Sequence, residues 1–106
     1  MSTGIELIAA ERERQVSQEG WTAEHDDAHD AGEMVEAAVC YAQQAVGRRW
    51  VFEEEPDHYA ADEPPIGCEW PWDSEWWKPK SPIADLVRAG ALIAAEIDRL
   101  QRLPKE

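Results

Sequence analysis

Basic residues are scarce in this chain: 10 Lys and Arg stand against 23 Asp and Glu, a formal net charge of −13 at pH 7. The imbalance is concentrated, since residues 19–36 hold seven acids and residues 53–63 hold six, with no Lys or Arg in either stretch. Binding to a phosphate backbone relies on Lys and Arg displacing condensed counterions, so this composition argues against direct nucleic-acid binding. It suits solubility, or a basic protein partner.

Long apolar runs are missing as well. The longest in the C-terminal half, Ala89 to Ala95, falls far short of the roughly 18 residues that a membrane span needs. The opening Met1-Ser2-Thr3-Gly4-Ile5-Glu6 has neither a basic nor an apolar leader region, so a cytoplasmic location is expected. Cysteine is nearly absent: Cys40 and Cys68 lie far apart, neither belongs to a C-x-x-C pair, and both read as free thiols. There is no Gly-rich nucleotide loop, no G-x-S-x-G and no H-E-x-x-H, so no well-defined enzyme class is indicated and no cofactor is expected. A length of 106 residues with 43% hydrophobic content supports a single domain, residues 1–106, with one modest core.

What is present reads as helix. Thr3 and Glu6 form a capping box and Gly20 a left-handed stop, which predicts a first helix over about 4–19. Ile5, Ile8, Ala9 and Val16 share a stripe with Arg12 in its middle, so Arg12 either snorkels to water or pairs with a carboxylate, Asp26 or Asp27. A second capping box, Asp30 and Glu33, opens a helix over about 31–46 whose Met34, Val35, Ala38, Val39, Ala42, Ala45 and Val46 precede Gly47. Its alanines allow close approach, which makes it the expected central helix. Ser81 and Pro82 start a third helix, about 82–102, with Ile83, Leu86, Val87, Gly90, Ile93, Ala94, Ile97 and Leu100 as one stripe. Leu92 points the other way, onto a face with Asp85, Arg88, Glu96 and Arg99, where it would mark a partner surface. The expected fold is all-α: a small three-helix bundle with a long Trp/Pro-rich irregular segment between helices 2 and 3.

That segment, residues 48–80, contains five of the six tryptophans and five of the seven prolines. Its acidic first half, from Glu53, reads as solvated. Trp70, Trp72, Trp76 and Trp77 must pack, and with Pro71 and Pro79 breaking the backbone they should divide between core and an open groove.

The densest run of functional residue types is Trp21-Thr22-Ala23-Glu24-His25-Asp26-Asp27-Ala28-His29-Asp30. Together with the tryptophan segment it supplies the candidate ligand-binding residues Arg12, Trp21, His25, Asp26, Asp27, His29, Trp70, Trp72, Trp76 and Lys78. On an extended helix His29, Glu33 and Glu36 would share a face with Cys40, a weak metal-binding pattern that equally describes a solvated face. Enzymes that cleave nucleoside triphosphates with paired Glu-x-x-Glu and Glu-x-x-Asp motifs would need a second pair. Here only Glu33 and Glu36 fit, because Glu96 and Asp98 are two apart.

Glu11-Arg12-Glu13-Arg14-Gln15, Gly20-Trp21-Thr22, Glu24-His25-Asp26-Asp27-Ala28-His29, Gly32-Glu33 with Tyr41-Ala42, Trp70-Pro71-Trp72, Trp76-Trp77-Lys78-Pro79 and Leu86-Val87-Arg88-Ala89-Gly90-Ala91-Leu92-Ile93 resemble a family of small uncharacterised proteins of tailed phages and prophages. The resemblance covers most of the chain and departs at residues 48–67, read as a variable acidic insertion. It implies a host-cell cytoplasmic location and no particular activity. A helix leading into Gly20-Trp21 and then an acid-and-histidine segment is also similar to ryanodine-receptor-type (RyR) domains, which implies a nucleotide-like ligand. This chain lacks that domain's basic Lys and its Pro-Tyr step.

The resulting expectation is an acidic accessory binding module that recognises a nucleotide-like ligand or a host protein, with a homo-oligomer left open. The alternatives are a metal-dependent nucleoside triphosphate pyrophosphohydrolase using His29, Glu33 and Glu36, and an acidic nucleic-acid mimic that blocks a host defence protein.

Overall fold

Local capping chemistry decides where the helices begin. In the computed structural model, which describes residues 1–104, Thr3 accepts from the Glu6 N–H while Glu6 accepts from the Thr3 N–H, opening α1 (Gly4–Ser17). Gly20, at φ 74°, lets the Trp21 N–H close onto the Gln15 carbonyl. Thr22 caps a short α2 (Ala23–Asp27). α3 (Glu33–Gly47) departs from expectation at its start, for Gly32 at φ 84° precedes it without a side-chain cap, and Glu33 reaches back to the Ala31 N–H instead of answering Asp30. Ser81 caps α5 (Pro82–Arg102) through the Ala84 N–H, with Pro82 in the first turn.

The fold is all-α, with no strand among the described residues. Among the described residues five α-helices form rather than three, because α2 stands before α3 and the segment after α3 folds into α4 (Arg49–Glu54) and two 3₁₀ turns, Pro56–His58 and Ser74–Trp76. No described helix is long and apolar enough to cross a membrane. α5, not α3, is the shared element, since α1, α2 and α3 all pack on it.

The face that α5 buries is the reverse of the expected one. Asp85, Ala89, Leu92, Ala95, Glu96 and Arg99 are buried, whereas Ile83, Leu86, Ile93, Ile97 and Leu100 are exposed. Leu92, expected on a partner surface, is 1% exposed. The inward charges are neutralised in place. Arg99 meets Glu96 through two hydrogen bonds of 2.6 and 3.1 Å. Asp85 accepts from the Tyr59 hydroxyl at 2.6 Å and the Lys80 N–H at 3.0 Å. Burial pushes the Asp85 carboxyl above the usual range even against those bonds. A buried polar group costs little once satisfied, and each of these has a partner.

α1 is rotated too. Gln15 is its buried residue and Ile8 packs over Gly90, while Ile5 and Val16 of the expected stripe face outward. On α3 the buried side carries Met34, Ala37, Ala38, Cys40, Tyr41, Gln44 and Ala45, leaving Val35, Val39 and Val46 exposed. Burial pushes the Cys40 thiol up to about 12, with the Cys68 thiol beside it.

The acidic stretch after Glu53 is anchored rather than simply solvated. Tyr59 is fully buried, and its carbonyl accepts from Gln44 at 2.8 Å and Arg48 at 3.0 Å. Further along, Trp77 stacks on Tyr41 at 4.9 Å and donates its indole N–H to the Ala61 carbonyl. Trp77 joins Met34, Tyr41, Ala89 and Leu92 in the core, whereas its neighbour Trp76 is 50% exposed. Trp77→Ala should therefore destabilise by roughly 3 to 5 kcal/mol in urea denaturation, the usual cost of emptying a buried aromatic site. Trp76→Ala should fall within about 0.5 kcal/mol of the parent, as surface changes do.

Candidate functional site

The capped turn at Gly20–Thr22 brings Trp21 and α2 back toward the tryptophan segment. The ring of Trp21 stacks flat on His25, 5.7 Å between centroids and 1° between planes. His25 meets His29 edge-on at 4.8 Å, and His29 meets Trp72 at 5.5 Å. Trp72 abuts Trp70 at 5.6 Å, and Trp70 in turn abuts Trp77 and Tyr41. Residues as far apart in the chain as Trp21 and Trp77 thus form one continuous row of rings.

That row walls an open groove of about 620 Å³, completed by Arg14, Lys78 and Arg88 and by Glu19 and Asp73. The volume lies within the range of small-molecule sites, roughly 300 to 1,000 Å³. Three of the chain's 10 Lys and Arg thus stand at one groove. Arg14 is held by Glu11 at 2.8 Å and Glu19 at 2.8 Å, which neutralise it. Arg88 donates to the Lys78 carbonyl at 2.6 Å and lies 4.9 Å from the centre of the Tyr41 ring. The Lys78 ammonium lies 5.7 Å over Trp76. Among the described residues neither Arg88 nor Lys78 hydrogen-bonds a carboxylate, although the Arg88 charge reaches the Glu11 and Asp85 carboxyls and favours their ionised forms. The Trp72 indole nitrogen is buried without a partner.

Of the residues singled out in the sequence, Trp21, His25, His29, Trp70, Trp72, Trp76 and Lys78 line this groove. Arg12, Asp26 and Asp27 do not. Arg12 bonds the carboxylate of Asp26 at 2.9 Å, and Asp26 is 1% exposed. His25 contacts the same carboxylate at 3.2 Å, so the buried pair holds the aromatic wall from behind. Asp27 pairs outward with Arg102. Arg14, Tyr41 and Arg88 were not singled out. Arg88 sits one helical turn before Leu92, on the side of α5 expected to face solvent, so its signal was the misassigned face.

The metal pattern disperses. His29 faces Glu33 at 3.3 Å. Burial raises the Glu33 carboxyl, but hydrogen bonds from its own N–H, the Ala31 N–H and His29 outweigh it and leave the group below the usual range. Glu36 turns to Glu69, and burial together with that second carboxyl raises it. Among the described residues no group of three His, Cys, Asp or Glu side chains comes together as a metal site.

Removing the arginine from the Arg12–Asp26 pair strands a buried carboxylate. Arg12→Ala should cost roughly 3 to 5 kcal/mol in equilibrium unfolding. Arg102→Ala, which frees the half-exposed Asp27, should move the unfolding midpoint far less. No family model, no curated protein and no solved structure matches this chain.

Proposed function

We propose that the chain is a binding module for a planar, anionic ligand of nucleotide type, seated in the aromatic groove. The observation that carries this reading is the pairing of a row of rings with two cations, Lys78 and Arg88, that hydrogen-bond no carboxylate among the described residues of an otherwise acidic protein. Ring faces gain most from a flat aromatic partner. A guanidinium offers its fork of N–H donors to phosphate oxygens, and an ammonium adds a point charge beside it. The base would stack in the Trp21, Trp72 and Trp76 region, and the phosphates would meet Arg88 and Lys78. This agrees with the ligand class implied by the RyR resemblance, and the three longer helices serve as the scaffold for the groove.

Arg12, a candidate from the sequence, is committed to Asp26, and in this proposal Arg88 takes its place beside Lys78. The reading of His29, Glu33 and Glu36 as a pyrophosphohydrolase centre draws less support, because Glu36 faces Glu69.

Titration with a series of purine nucleosides and their mono-, di- and triphosphates, followed by intrinsic tryptophan fluorescence, checks this proposal. Saturable quenching is expected, tighter with phosphate than without. Arg88→Ala should weaken the phosphorylated ligands at least tenfold while leaving the bare nucleoside little changed. Absence of saturable quenching at millimolar ligand would remove the proposal. Turnover of the triphosphate with magnesium or manganese would replace it with the enzymatic one.

A further inference from the structure

The exposed side of α5 has a spacing of its own. Ile83, Leu86, Gly90, Ile93, Ile97 and Leu100 follow one another at intervals of three and four residues. That alternation is the repeat of a helix that packs along its length on another helix. Within the chain only the Gly90 position is filled, by Ile8, whose Cδ1 lies 2.6 Å from where a β-carbon would stand. The other five side chains remain 46 to 69% exposed.

The neighbouring helix also has an open apolar side. Val35, Val39 and Val46 share one side of α3 by helical geometry and are also exposed. On both helices this is the side turned away from the aromatic segment. Opposite it α3 carries Tyr41 and Gln44, and α5 carries Arg88 and Leu92. Ile5 on α1 is likewise 83% exposed; each partner gives on the order of 800 Å² to a standard interface. Lone monomers rarely show a patch above roughly 300 to 600 Å².

Charge selects the occupant. Along α5 the seam holds no ionisable side chain, so a basic partner finds nothing there to pair with. Two copies of a chain of net charge −13 repel wherever their acids meet, and this face is where they meet without them. A seam of Ile and Leu at three-and-four spacing is complementary to itself, as a two-fold interface requires.

We propose that a second copy of this chain docks on this face, α5 against α5, giving a two-fold dimer whose two aromatic grooves point outward. The proposal does not depend on what the grooves bind. Sedimentation velocity of the full chain at about 10 to 100 µM, above the micromolar upper end for interfaces of standard size, should show a species of twice the 12.0 kDa chain mass. Ile93→Glu combined with Ile97→Glu should convert it to monomer with the helical circular dichroism retained, because both positions are already half open to water. Ile83→Lys, in the open first turn, should raise the dimer dissociation constant at least tenfold and serves if the double variant misfolds. A parent chain that sediments only at 12.0 kDa, or a dimer indifferent to these substitutions in folded protein, would overturn the proposal.

Discussion

The charged face of α5 is the one turned inward, and the rest of the molecule is arranged to make that tolerable. Asp85, Glu96 and Arg99 lie among Ala89, Leu92 and Ala95, with few large aliphatic side chains around them. An uncompensated charge at such a position would outweigh most of the stability of a small domain. Each is therefore tied at short range: Asp85 to the Tyr59 hydroxyl and the Lys80 N–H, Glu96 to Arg99. The tie to Tyr59 draws the acidic segment onto the helices, and Gln44 and Arg48 of α3 hold its backbone there. The Arg12–Asp26 pair fastens α1 to α2 in the same manner.

Alanine-lined helices leave space between α3 and α5 that small side chains do not fill. The tryptophan segment fills it from one side, with Trp77 against Tyr41 as the deepest contact. The partly buried rings Trp21, Trp70 and Trp72 stand at the margin of that core and form the groove wall. Core and candidate site are thus the same aromatic cluster seen from two sides. Arg88 belongs to both, stacked on Tyr41 and bonded to the Lys78 carbonyl.

What could be read from the sequence was local. The Thr3–Glu6 box, the Gly20 stop and the Ser81-Pro82 start depend on side chains within a few residues of the backbone they bond, and each formed as expected. The Arg12 partnership with Asp26 was also legible, since a guanidinium in the middle of an apolar stripe invites a carboxylate. The orientation of α5 was not. Hydrophobic periodicity locates a stripe but not what covers it, and α5 carries an apolar seam on one side and a line of Asp85, Arg88, Leu92, Glu96 and Arg99 on the other. The partners that make the second line buriable, Tyr59 and Tyr41, are 26 and 47 residues from Asp85 and Arg88 and leave no local pattern. Reading the seam as core also hid Arg88 from the candidate site. Asp30 failed as a cap because Gly32, at φ 84°, starts α3 later.

The central claim is that the aromatic row from Trp21 to Trp72, with Trp76 at the same groove, is a binding wall as well as a piece of core. The most direct measurement is an ¹⁵N-resolved NMR spectrum of the six indole N–H groups during titration with a purine nucleoside diphosphate. The account predicts that the Trp21, Trp72 and Trp76 signals move along one saturable curve. Those of Trp77, bonded to Ala61, and of Trp50, outside the groove, should stay close to their starting positions. If no indole moves, or Trp50 moves while Trp72 and Trp76 do not, the aromatic row is structural and the proposed groove does not bind nucleotides.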